Sequence, residues 1–234
     1  MSDPLEARFV RVAGVCALLA GASSIATLLL TAMLAGFDPA HSPYLSVSVA
    51  AGTEGGGALL RWSLVVDALG YYLMLVPLAL VLHTRLARVS PSFAQLLTMA
   101  GVGSLLLGAA GAVVLAGAWP PLVDTYRAGN PVAKALAEHS YLNLSHAVYR
   151  GVWNLLVSSL HGVWVLGVGF LLGKAHPRLA RFSLVLGAAT LVDALAAIFF
   201  PGPIHDTVLF GYLLLTPLWC LGWGLRLVRE NRVT

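Results

Sequence analysis

The sequence predicts an all-α, polytopic membrane protein: one six-helix transmembrane bundle with both termini cytoplasmic, long extracytoplasmic loops and a short interfacial helix. Three observations predict it. First, the 234 residues are 59% hydrophobic and only 10% charged, with mean hydropathy +0.85, whereas a soluble domain carries about a quarter charged residues. Second, six stretches reach the ~20 apolar residues that a helix needs to cross the hydrocarbon core. Third, the basic residues sort by side. With the N-terminus inside, Arg8, Arg11, Arg85, Arg88, Lys174, Arg178, Arg181, Arg226, Arg229 and Arg232 are cytoplasmic. Only Arg61, Arg127, Lys134 and Arg150 fall outside. Ten against four obeys the positive-inside rule. A net charge of +4 with no basic run therefore reports topology and excludes a nucleic-acid surface.

The first span, about 12–36, carries an apolar run too long for a signal-peptide core and is expected to stay as an uncleaved helix. A small, polar external segment at 37–59 follows. Its GTEGGG at 52–57 lacks the lysine of a phosphate-binding loop and reads as a flexible connection. The second and third spans, about 60–83 and 93–118, meet at a short cytoplasmic turn with Ser90-Pro91. The external segment 119–147 contains NPVAKALAEHSYLNL at 130–144, where Pro131 suits a first helical position and predicts a short interfacial helix over the bundle. The last three spans are about 148–173, 180–200 and 207–227, the first two of them joined at His176-Pro177. The glycines of the third to fifth spans favour close helix packing. Residues 87–110 and 174–190 echo each other faintly, each entering a helix from a proline turn, as a hairpin duplication or a chance likeness would. Cys16 and Cys220 are too few for a disulfide framework and are expected to be reduced packing residues.

Chemistry concentrates on the fourth span. His146, Arg150, Asn154, Ser158 and His161 recur at spacings of four, four, four and three, within one arc of an α-helix. Hydrocarbon does not solvate such an arc, so it must face other helices or a wet cavity. Asp67 on the second span shares a face with Ser63 and Tyr71. Asp193 lies in the outer half of the fifth span. Each buried carboxylate costs about 2.5–3.5 kcal/mol on insertion scales and persists when paired, protonated or functional. Structurally, either acid would pair with Arg150. Functionally, Asp67, Asp193 and His161 are the expected catalytic groups, and Arg150, Asn154, Tyr71, Ser158, Tyr212 and Trp219 the expected substrate-binding groups. Tyr212, Thr216, Trp219 and Trp223 form a stripe on the sixth span, suited to packing or to shielding an apolar or cationic ligand. No metal or cofactor is expected. HExxH, GxSxG and Walker patterns are missing, the histidine pattern does not provide bis-histidine haem ligation, and His41, His139 and His205 read as solvated loop residues.

Three segments, RVAGVCALLAG, WSLVVDALGYYLMLVPLALVLHTRL and PSFAQLLTMAGVGSLLLGAAGAVV, resemble a bacterial family of six-helix integral membrane proteins, domain of unknown function 4386. The resemblance spans most of the chain through helix-packing residues. It implies six helices in a bacterial cytoplasmic (inner) membrane and assigns no catalytic residue. The functional expectation is a polar site in the outer half of the bundle for a small lipophilic or isoprenoid-like molecule, with acid catalysis in the membrane as one use. The alternatives are a proton-coupled transporter and a membrane regulator of a cytosolic partner. Besides the lipid bilayer and that ligand, the sequence names no partner, and it leaves the oligomeric state open.

Overall fold

A computed structural model describes residues 4–35, 46–199 and 203–230. Among them all regular structure is helical: α1 (Pro4–Leu34), α2 (Val47–Gly52), α3 (Gly56–Ala87), α4 (Pro91–Ala128), α5 (Pro131–Leu171), α6 (Pro177–Phe199) and α7 (Pro203–Glu230). All but α2 are long and apolar enough to cross a membrane. The expected helix ends at 36 and 200, the first part of the 37–59 segment, and His41 lie outside the described residues.

Sequence neighbours are spatial neighbours. α1 packs on α3, α3 on α4, α4 on α5, α5 on α6, α6 on α7, and α7 returns to α1. The six long helices therefore form a closed ring. Small residues draw its seams together, because apolar burial alone does not drive helices together in lipid. In the α1–α7 seam, a Cβ on Gly224 would stand 2.8 Å from the Gly14 carbonyl. In the α5–α6 seam, a Cβ on Gly169 would stand 2.8 Å from the Ala180 carbonyl. On α4 the glycines receive aromatic rings: Trp164 lies over Gly101, and Trp153 sits against Gly111 while its Nε1 donates to the Gly108 carbonyl at 3.1 Å.

The segment 119–147 is not the long external loop expected from the sequence. α4 continues through Pro120-Pro121 to Ala128, and α5 begins at Pro131, with the Asn130 side chain accepting from the Ala133 amide at 3.0 Å. Consecutive prolines remove backbone donors and ordinarily end a helix. Here the turn is held by tertiary packing: Trp119 is fully buried and stacks on Tyr141 at 4.8 Å, and Val123 is buried beside them. The helix foreseen at 130–144 exists but runs without a break into the fourth span. The GTEGGG stretch is also more ordered than a flexible connection. Gly55 takes φ +67, and Gly56 lies so close to the Ala50 carbonyl that a Cβ would collide with it.

Two apolar clusters fill the ring. One contains Leu78, Leu82, Leu86, Trp164, Trp219, Trp223 and Leu227, toward the end that holds the α3–α4 and α5–α6 turns. The other joins α1, α2, α3, α4 and the first half of α5, around Leu60, Leu64, Trp119 and Tyr141. Neither takes a fully buried residue from the C-terminal half of α6 or the N-terminal half of α7, although Tyr212 and Leu215 pack against the first.

Candidate functional site

That gap between the apolar clusters is filled by polar side chains from three helices. Asp193 of α6 is fully buried. Its Oδ2 accepts from the Ser158 hydroxyl of α5 at 3.1 Å, and its Oδ1 lies 3.4 Å from His205 Nε2 of α7. His205 Nε2 in turn faces the Asn154 amide nitrogen at 3.2 Å. Asn154, Ser158 and His205 are 1%, 2% and 7% exposed, so water does not screen these contacts. The Tyr212 hydroxyl reaches Ser158 and lies within electrostatic range of Asp193, Asp67 and Tyr149.

Hydrogen-bond arithmetic limits where the protons can be. If the Asn154 nitrogen donates to His205 Nε2, that nitrogen is an acceptor and carries no proton of its own. Two lone pairs would then oppose each other between Nε2 and Asp193 Oδ1 unless the acid is protonated and donates. If the amide is turned, Nε2 carries the proton and points it at both acceptors; amide and imidazole orientations are assigned from such networks and not observed directly. At 3.4 Å the approach of Asp193 Oδ1 to His205 Nε2 is electrostatic, and Oδ1 itself makes no hydrogen bond among the described residues; a proton on either group would relieve the opposition. Exchanging the two arrangements takes a half-turn of the Asn154 amide, with no change in backbone.

Arg150 does not join this site. It is exposed and makes no ion pair with Asp67 or Asp193 among the described residues. The reason is local winding. Residues His146–Val157 form a π-helix, whose i→i+5 bonding takes more than four residues per turn. Positions four apart therefore drift away from the arc drawn on α-helical geometry. His146 and Arg150 rotate outward, while Asn154 and Ser158 stay inside. The same departure occurs at Val66–Tyr72, which contains Asp67 and Tyr71. Asp67 is half-buried with no hydrogen bond among the described residues, and Tyr71 rests edge-on against Tyr72 at 4.8 Å. Tyr71 is in electrostatic range of Asp67 and Tyr212.

His161 lies about one turn beyond Ser158, in an aromatic box. Its ring meets Trp164 at 5.4 Å and Trp219 at 6.4 Å, both edge-on, and its Nε2 is buried without a hydrogen bond. Trp219 Nε1 donates to Ser183 Oγ at 2.8 Å. The structure thus gathers Asn154, Ser158, Asp193 and Tyr212 at one point. It sets His161 and Trp219 beside that point and Asp67 and Tyr71 across from it, and it leaves Arg150 out. The residue missed by sequence reading is His205, assigned there to a loop. The available signal was its spacing: His205 precedes Tyr212 by seven, which continues the stripe of Tyr212, Thr216, Trp219 and Trp223 by two turns.

Among the described residues no group of three or more His, Cys, Asp or Glu could hold a metal ion. Cys16 and Cys220 are both free. Comparison with protein-family models, with curated proteins and with solved structures finds no match for this chain.

Proposed function

We propose that the protein binds a small lipophilic molecule at the outer junction of α5, α6 and α7 and exchanges a proton with it through the Asp193–His205 pair. The observation that carries this reading is the character of Asp193's partners. A fully buried carboxylate retained for stability is normally matched by a cation. Asp193 meets a hydroxyl and an imidazole, and the imidazole in turn meets an amide; no arginine or lysine pairs with it among the described residues, and its neighbours are groups that can relay a proton. The acid's proton would protonate the bound molecule, Tyr212 and Ser158 would orient it, and Trp164 and Trp219 would form an apolar floor that also suits a positively charged intermediate. This reading puts both termini in the cytoplasm, as the distribution of the basic residues suggests, and takes the bacterial inner membrane from what the family resemblance implies.

The test uses the full chain purified in native-lipid nanodiscs. Lipophilic molecules retained by the protein are extracted and identified by mass spectrometry, alongside Asp193→Asn and Asp67→Asn. Asp193→Asn is expected to fold, because an amide can still meet Ser158 and His205, and to lose the retained molecule or its proton exchange. Retention and proton exchange equal to wild type in both variants would sink the proposal.

A second reading, a proton-coupled transporter, is supported by one arrangement: Asp67 and Asp193 are two acids within membrane-length helices, both in electrostatic range of Tyr212, which suits two acid stations. Proteoliposome uptake driven by a pH gradient, abolished in either Asp→Asn variant, would favour it over simple binding. A permeability unaffected by the gradient would remove it.

A further inference from the structure

A second polar feature lies at the same end of the bundle, where α3 begins and α4 ends. A groove of about 680 Å³ opens there, lined by Gly57, Arg61, Trp62, Val65, Asp124 and Arg127, among others. Its charged residues are in different states. Arg127 is committed: its guanidinium donates to the carbonyls of Ala50, Ala51 and Thr53 and so fastens the C-terminal end of α2 to α4. Arg61 and Asp124 are exposed and make no hydrogen bond or ion pair among the described residues, with each other or with anything else. Opposite charges across one groove ordinarily pair if they can reach. These two face the same space without doing so.

The third feature is Trp62. Of the six tryptophans, the other five are 9% exposed or less, whereas Trp62 is 61% exposed. It sits one residue from Arg61 near the end of a span, where amphipathic rings mark the level of lipid headgroups. The groove therefore offers an uncommitted cation, an uncommitted anion and an apolar wall running down α3 through Val65.

We infer that this groove binds a zwitterionic phosphoamine, its phosphate on Arg61 and its primary ammonium on Asp124, with any attached acyl chain lying along Trp62 and Val65. A phosphate suits a guanidinium, which can donate two parallel N–H bonds. A primary ammonium can donate to a carboxylate, whereas a quaternary one cannot. The site stands apart from Asp193 and does not depend on the function proposed for it. The ligand is an ethanolamine phospholipid or a soluble phosphoamine with the same head.

The experiment uses the full chain in phosphatidylcholine nanodiscs doped with a small fraction of phospholipid brominated on its acyl chains, read by quenching of tryptophan fluorescence. Trp62→Phe identifies the Trp62 signal. Brominated phosphatidylethanolamine is expected to quench Trp62 several-fold more than brominated phosphatidylglycerol at the same fraction. Asp124→Asn should erase that difference, and Arg61→Gln should lower quenching by both lipids to the level of bulk bilayer. Both residues are exposed, so both variants should fold, which circular dichroism and gel filtration check. Free O-phosphoethanolamine then separates the sources. Displacement of the brominated lipid by it shows that the head alone suffices, and failure to displace it shows that the acyl chain is required; each supports the shared chemistry. Equal quenching by ethanolamine, glycerol and choline lipids in the wild type, or an ethanolamine preference that survives Asp124→Asn, would overturn the inference.

Discussion

Two acids at opposite ends of the ring make opposite arrangements. Glu230, at the end of α7, is held by two cations: Arg85 of α3 at 2.5 Å and Arg226 at 2.6 Å, one turn earlier on its own helix. Arg85 also donates to His176 Nε2 at 3.3 Å, and the His176 ring meets Trp223 edge-on at 5.5 Å. This cluster ties α3, the α5–α6 turn and α7 together through matched charges. Asp193 is the more deeply buried of the two and, among the described residues, meets no arginine or lysine, only the Ser158 hydroxyl and the His205 ring. The difference teaches what each carboxylate does. Where the fold needs an acid for cohesion, it supplies arginines. Where it supplies only proton-sharing neighbours, cohesion is not the reason the acid is there.

Substitutions at the two acids and their neighbours separate a cohesive role from a chemical one. Asp193→Leu removes the carboxylate that the buried Ser158 hydroxyl and His205 ring both face and should cost about 1–3 kcal/mol, read as a lowered unfolding midpoint in detergent. If Asp193→Asn cost as much, the acid would be structural after all. Glu230→Ala leaves Arg85 and Arg226 facing each other. Because all three groups are partly solvated, the loss should be about 1 kcal/mol, and it should shrink in high salt, which the Asp193 effect should not. Trp219→Phe keeps the aromatic box around His161 but removes the bond to Ser183. Interhelical hydrogen bonds in membrane proteins average about 0.6 kcal/mol, and a loss far above that in the same assay would mean that the indole organises more than one contact.

The smallest effect concerns pH. Burial, then the neighbouring Arg85 and Arg226 charges, hold His176 below the ordinary value of 6.5. The folded protein thus keeps this ring neutral under conditions where the unfolded chain would protonate it. The stability this gives is present above about pH 6.5 and is lost as pH falls below it. His176→Gln should flatten the acid limb of a stability–pH curve and leave the neutral plateau in place. An unchanged acid limb would show that another group sets it.

Much of this molecule was readable in advance. Six spans followed from apolar length alone, and Asn154, Ser158, Asp193 and Tyr212, which meet in space, were each picked out as polar groups in membrane segments. What escaped reading has a common cause. Arg150 was expected beside the acids because its spacing was measured on an α-helix; the π-helical winding of His146–Val157 turned it outward. The third span is expected to end at 118, and nothing local reveals that Trp119 stacks on Tyr141, 22 positions away, and carries the helix to Ala128. His205 matches no motif spacing and reads as a loop residue, whereas α7 begins at Pro203 and puts it in the first turn.

The amino-acid sequence alone establishes how many membrane-length helices there are among the described residues, roughly where they lie and that polar groups must be gathered among them, because hydrocarbon penalises any other outcome and the penalty is set by composition. The tertiary structure alone decided which polar groups meet. That depends on helical winding, on how far glycine seams let neighbouring helices close, and on aromatic stacking between distant positions, none of which is encoded in the periodicity of a single span.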